Sequence, residues 1–135
     1  MELSAIGLLM LRIILGLGLA AHGSQKLFGW FGGYGLKGTG GWFESMGAKP
    51  GIPLAFLAGA GEAASGLGIA AGFLTPVSAG VMILVMLVAI FSVHIKKGYW
   101  STAGGYEYNL LIIAAALALA LTGAGPLSVD AILFM

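Results

Sequence analysis

The chain has 135 residues, of which 59% are hydrophobic and 8% charged, with a mean hydropathy of +1.03; a water-soluble domain carries about 25% charged residues, so this composition cannot coat a surface that faces water. A net charge of +1 supplies no basic field for nucleic acid, and the absence of cysteine excludes disulfides, thiolate metal sites and a paired-thiol relay. The length suits one transmembrane domain over 1–135, and any redox chemistry needs a group that the chain does not encode.

A bilayer core of about 30 Å asks for about 20 apolar residues per helix, and four runs come close: about 3–22, 52–74, 77–93 and 106–121. The first begins behind Glu2 and holds Arg12 inside its apolar stretch, a pattern that argues against a cleaved signal peptide and for a retained helix. Residues 23–50 follow, rich in glycine and carrying Phe28, Trp30, Phe31, Tyr34, Trp42 and Phe43. Amphipathic rings favour the headgroup level, so this segment reads either as an interfacial or partly re-entrant loop or as a plain aromatic anchor. The second run is written in small residues, Gly59, Ala63, Gly61, Ser65, Gly68 and Gly72, whose small-x-x-x-small pairs let helices approach closely in lipid; Gly16 and Ala20 in the first run and Ala116 and Ala120 in the fourth repeat the device. Thr75 and Pro76 turn the chain at once into the third run, and Pro50, Pro53, Pro76 and Pro126 all fall where proline begins or ends a helix without breaking it. The expected fold is therefore all-α: an integral membrane, antiparallel four-helix bundle with a glycine- and aromatic-rich interfacial loop between the first two helices. Four short helices make a thin wall, which makes a homo-oligomer plausible.

Lys26, Lys37, Lys49, Lys96 and Lys97 gather at one end of such a bundle. The positive-inside rule makes that end cytoplasmic and places both termini outside. Charges within a span are costly and face the bundle interior with a partner. Arg12 lies ten residues from His22, and Glu62 ten residues from Ile52, so both are expected about 15 Å above the lysine-rich end at about 1.5 Å per residue, as an intramembrane pair. Such a pair serves either to fix helix register or to carry a proton or bind a ligand.

At the lysine-rich ends of the helices stand His22, Gln25 and Lys26 from the first, His94 from the third, and Tyr106, Glu107, Tyr108 and Asn109 from the fourth. Imidazole and carboxylate exchange protons near neutral pH. A cluster of them under an aromatic loop suits a flat polar head group, whereas either histidine alone reads as an interfacial cap. The two histidines show no haem-attachment motif and no metal-ligand spacing, so no metal is expected.

The run from His22 through Gly23, Ser24, Gln25, Lys26, Leu27, Phe28, Gly29, Trp30 and Phe31 to Gly32 and Gly33, followed by Gly38-Thr39, by Glu62 within Ala58-Gly59-Ala60-Gly61-Glu62, and by Gly104-Gly105-Tyr106-Glu107-Tyr108, resembles the DoxX family over nearly the whole chain. Pro76 stands where a basic residue often follows the threonine, and Asn109 where proline is common. The resemblance implies a bacterial inner-membrane protein of four helices, with relatives in thiosulfate:quinone oxidoreductase and in oxidative-stress defence, some of them scaffolds for soluble redox partners. The leading expectation is a redox accessory subunit, possessing no encoded cofactor, that binds a quinone head group through the cluster and acts as a non-catalytic part of an oxidoreductase complex with a soluble or membrane redox partner. A scaffold docking soluble enzymes through residues 23–50 and a small proton-coupled carrier using Arg12 and Glu62 are the alternatives.

Overall fold

A computed structural model of the protein describes residues 2–134, and all of the regular structure among them is helical. The principal helices are α1 (Leu3–Phe28), α2 (Gly35–Ser45), α3 (Gly51–Ala71), α4 (Thr75–Ala89), α5 (Glu107–Thr122) and the short α6 (Val129–Phe134). Beyond Ala89 the chain of α4 continues through a π-helical turn, Ile90–His94, and a 3-10 turn, Ile95–Lys97. Three of these stretches, Leu3–Phe28, Gly51–Ala71 and Thr75–Lys97, are long and apolar enough to cross a membrane; α5 is apolar but has 16 residues.

The closest packing joins α1 to α3, and glycine makes it so. A side chain at Gly16 would strike the backbone of Gly66 and Ala70, one at Gly23 the backbone of Gly59 and Ala63, and one at Gly66 the backbone of Gly16 and Ala20. Residue numbers thus rise along α1 as they fall along α3. In lipid the hydrophobic effect adds nothing to helix association, so this direct backbone contact is what holds the pair. Around it Leu19, Ile69, Met82, Met86, Ala116 and Leu119 form a buried core drawn from α1, α3, α4 and α5. Large apolar side chains such as Ile14, Leu57, Leu84 and Leu111 point outward, the reverse of a soluble bundle and the arrangement a hydrocarbon solvent favours.

Helix ends follow local chemistry. α3 stops at Gly72, whose φ of 68° suits glycine; there the Gly72 N–H donates to Ile69 O and the Phe73 N–H to Gly68 O, the paired bonds of a Schellman cap. Three residues later Pro76 occupies the first turn of α4, where its missing N–H costs no helical bond.

The structure shifts several sequence-based boundaries. The first helix runs to Phe28 rather than 22, because Gln25 and Lys26 continue a helix readily and the stop is Gly29, at φ 76°. The second spans Gly51–Ala71 rather than 52–74, the third begins at Thr75 and reaches Lys97, and the fourth spans Glu107–Thr122. The segment 23–50, expected as a loop, contains α2, in which Thr39 and Gly40 are buried; a side chain at Gly40 would meet Gly51 and Ile52. Tertiary contact therefore offsets the glycine penalty of about 1 kcal/mol per residue.

Candidate functional site

Glu62 is the one acidic side chain placed inside a long helix. It sits in the middle of α3, is 4% exposed, and accepts a 2.7 Å hydrogen bond from Lys26 Nζ as an ion pair. The register of α1 on α3 explains the contact: Gly23 faces Gly59 and Ala63, and the stem of Lys26 passes over Gly59, where a side chain would crowd the Lys26 and Leu27 side chains. Gly59 thus makes the room through which a four-carbon stem reaches back one turn to the carboxylate. Next to this pair, Gly61 lies against Val85 of α4, and Asn109 of α5 donates from Nδ2 to Met86 Sδ at 3.5 Å. Lys26 of α1 with Glu62 and Ser65 of α3 therefore forms a polar cluster between these two helices, while Asn109 of α5 is held against Met86 of α4; Glu62, Ser65 and Asn109 are buried.

The expected pairing of Arg12 with Glu62 is not formed. Arg12, 1% exposed, donates from Nε to Ile69 O (3.2 Å), from Nη2 to Ala70 O (3.1 Å), and from Nη1 to Ala124 O (2.8 Å) and Leu127 O (3.0 Å). Ile69 and Ala70 lie seven and eight residues beyond Glu62 on α3, about 11 Å along the axis at about 1.5 Å per residue. Because α1 runs on to Phe28, six residues beyond His22, Arg12 lies nearly two turns farther from the lysine-rich end than the expected helix allows. What Arg12 does is tie two carbonyls at the C-terminus of α3, the pole that favours a cation, to the Ala124 and Leu127 carbonyls of the segment before α6.

The remaining sequence candidates divide into two groups, with no hydrogen bond joining them among the described residues. On the side of α1, Gln25 Nε2 donates to Phe31 O (3.2 Å) and pins the chain after α1, while His22 is exposed. On the side of α4 and α5, His94 Nδ1 lies 2.6 Å from Gly104 O, Glu107 Oε1 accepts the Ser101 N–H at 3.1 Å, and Tyr106 packs edge-on against Tyr99. His94 closes the π-helical turn, a distortion that often re-aims side chains at functional sites. The same end carries exposed Tyr108 and Trp100. His22 and His94 thus share an end of the molecule without sharing a contact in these bonds. No group of three or more His, Asp or Glu side chains suited to a metal ion occurs among the described residues.

Asp130 was not singled out by sequence, yet it organises the opposite end. From α6 its Oδ1 accepts the Leu74 N–H (2.6 Å), and its Oδ2 accepts both the Thr75 N–H (2.9 Å) and the Thr75 hydroxyl (2.6 Å). It caps α4 from across the fold, over a turn in which Leu74 has φ 45°. Burial works against its charge, but the Thr75 and Leu74 hydrogen bonds and the nearby Arg12 together hold its carboxyl below the usual carboxylate range. The sequence signal was faint: Ser128 before Val129-Asp130, behind Pro126, marks a helix start whose Ser128 Oγ accepts the Ala131 N–H. Beside Asp130, Thr75 and Gly123 lies an open cleft of about 440 Å³.

Spanning helices, a lipid-facing apolar exterior and an internal polar cluster define a small polytopic membrane protein. A family model described as DoxX matches residues 7–95, and the chain belongs to the DoxX family. It is 30% identical over 131 residues, 96% of this chain and 88% of the relative, to a protein of Bacillus subtilis (strain 168) named "Putative oxidoreductase CatD". No solved structure matches it. Family and relative together support a role associated with redox chemistry at a membrane.

Proposed function

We propose that the protein is the membrane subunit of a redox system and that it binds a quinone or quinol head group at the polar cluster around Lys26 and Glu62. The observation that carries this reading is the distribution of the five carboxylates. Glu2 stands at the N-cap of α1, Glu44 accepts the Gly51 N–H at the start of α3, Glu107 opens α5 and accepts from Ser101, and Asp130 caps α4. Each of these has a structural reason in the positive pole of a helix. Glu62 stands at no helix pole; its partner is Lys26, whose side chain is 25% exposed, and an intramembrane ionisable pair open to its surroundings on one side points to a ligand or proton site. The chemistry fits the ligand: an ammonium donates to a quinone carbonyl, a carboxylate accepts from a quinol hydroxyl, and the Asn109 amide does both.

To His94, Glu107 and Tyr106, on the α4–α5 side of the same end, we assign further hydrogen-bond and proton roles toward the head group, with Gln25 fixing the loop and His22 exposed. Because the chain brings no electron carrier, turnover belongs to a complex with a redox partner. We further propose that residues 1–135 form one antiparallel four-helix domain in the bacterial inner membrane, with the lysine-rich end cytoplasmic. A reporter fused after Met135 then reads as external, and a cytoplasmic signal overturns the orientation.

Titration of the delipidated protein with a soluble quinone analogue, followed by tryptophan quenching, tests the site. Glu62→Gln and His94→Ala are each expected to weaken binding by about 1 to 3 kcal/mol through an unmet hydrogen bond, and Lys37→Ala, an exposed position on α2, to leave it unchanged. If the parent does not bind the analogue, or both variants bind as the parent does, the quinone reading fails and a scaffold that docks soluble enzymes takes its place. The proton-carrier alternative loses its geometric basis, since Arg12 and Glu62 lie at different levels and hold different partners.

A further inference from the structure

The end of the molecule that carries the lysines is a built surface. The turn between α3 and α4 places the start of α3 and the last residues of the α4 stretch at the same end, as Gly68 beside Ser78 and Gly61 beside Val85 require. Lys49, just before α3, therefore shares a level with Lys96 and Lys97, and α2 brings Lys37 to it. All four are exposed, and the only ion pair among the described residues uses Lys26 and Glu62 instead. The two further carboxylates of this end, Glu44 and Glu107, accept backbone N–H groups. The same end carries the exposed rings of Trp30, Phe31, Tyr34, Trp42, Trp100 and Tyr108.

We propose that this face binds the headgroups of anionic phospholipids, with the aromatic rings at the level of the ester groups and the four free ammonium groups on the phosphates. Two features favour a lipid surface over an acidic protein. Trp and Tyr beside Lys is the combination that suits the headgroup layer, rings at the boundary and charges reaching outward on flexible stems. The positive charge also surrounds helix ends that emerge from the bilayer, within a Debye length of about 8 to 10 Å of the leaflet surface, where a polybasic segment is attracted.

All three tryptophans of the chain lie on this face, so intrinsic fluorescence reads it directly. The full chain is reconstituted in phosphatidylcholine vesicles containing a small fraction of brominated lipid, either phosphatidylglycerol or phosphatidylcholine. Brominated phosphatidylglycerol is expected to quench at least twofold more strongly than brominated phosphatidylcholine at the same mole fraction, and molar salt should remove most of the difference. The variant Lys37→Gln/Lys49→Gln/Lys96→Gln/Lys97→Gln should quench equally with both lipids. If that variant fails to insert, Lys37→Gln/Lys49→Gln and Lys96→Gln/Lys97→Gln serve separately, each lowering the preference. Equal quenching of the parent by both lipids, or a preference that survives these substitutions, overturns the proposal and gives the face to a soluble acidic partner.

Discussion

Lys26→Met is expected to destabilise the protein by about 3 to 5 kcal/mol, whereas Glu62→Gln should cost no more than about 1 to 2. The asymmetry follows from where the two partners stand. The Lys26 side chain is 25% exposed and the Glu62 side chain 6%. Without Glu62, the ammonium can swing on its stem toward the nearby headgroup layer and recover its hydration. Without Lys26, a carboxylate stays buried between α1 and α3 with no counter-charge, the situation in which breaking a buried pair is most damaging. Lys26→Met combined with Glu62→Met removes both charges and should recover most of the loss, because replacing a buried pair with apolar groups of similar volume is often neutral. Helix content followed through denaturation in mixed micelles measures all three variants. Equal costs for the two single substitutions, or a double variant as unstable as Lys26→Met, would show that the pair is not buried as a unit. A double variant that is stable yet no longer binds the quinone analogue would separate the ligand role of the pair from its role in the fold.

Hydropathy and proline placement made the apolar helices legible because both act over single segments: the length of an apolar run and the missing N–H of Pro50 or Pro76 need no knowledge of the rest of the chain. Register was not legible. Small residues recur every three or four positions on both α1 and α3, and Gly16 can oppose Gly66 or a residue one turn away without any change visible in composition. Only the packed pair shows that Gly23 faces Gly59, and it is this register that brings Lys26, rather than Arg12, to Glu62. The division of the polar residues between the α1 side and the α4–α5 side depends on helix rotation, which single-sequence periodicity leaves free when a helix is apolar all round. Asp130 escaped because its partners, Leu74 and Thr75, lie more than fifty residues away, and a cap supplied from across the fold leaves no local pattern.

Arg12→Met should remove about 2 to 5 kcal/mol of stability and loosen the end of the chain. Among the four carbonyls that the guanidinium holds, Ile69 O retains the Gly72 N–H, but Ala70 O, Ala124 O and Leu127 O lose the only partner outside helical bonding that they have among the described residues. Each bond of this kind inside a membrane protein is worth about 0.6 to 2 kcal/mol, and relief from burying the Arg12 charge offsets part of the total. Arg12→Lys should restore little, since one ammonium cannot reproduce a planar fork spanning the end of α3 and the segment before α6. The loss should be local as well as global: α6 is tied down by Arg12 on one side and by the Asp130 N–H donating to Gly72 O on the other, so the amides of 124–131 should exchange with solvent much faster in Arg12→Met while those of α3 remain protected. Acid should produce a milder version. Asp130 has its carboxyl held low in the folded protein, so its contribution is fully present above the ordinary carboxylate pKa of about 3.9 and is lost as pH falls through the lower folded value. Exchange at 124–131 should therefore rise below about pH 4 beyond the intrinsic rate change, and Asp130→Asn should abolish that rise. If Arg12→Met matches the parent in stability and in exchange at 124–131, the four carbonyl bonds do not hold the end of the chain, and the burial of Arg12 needs another cause.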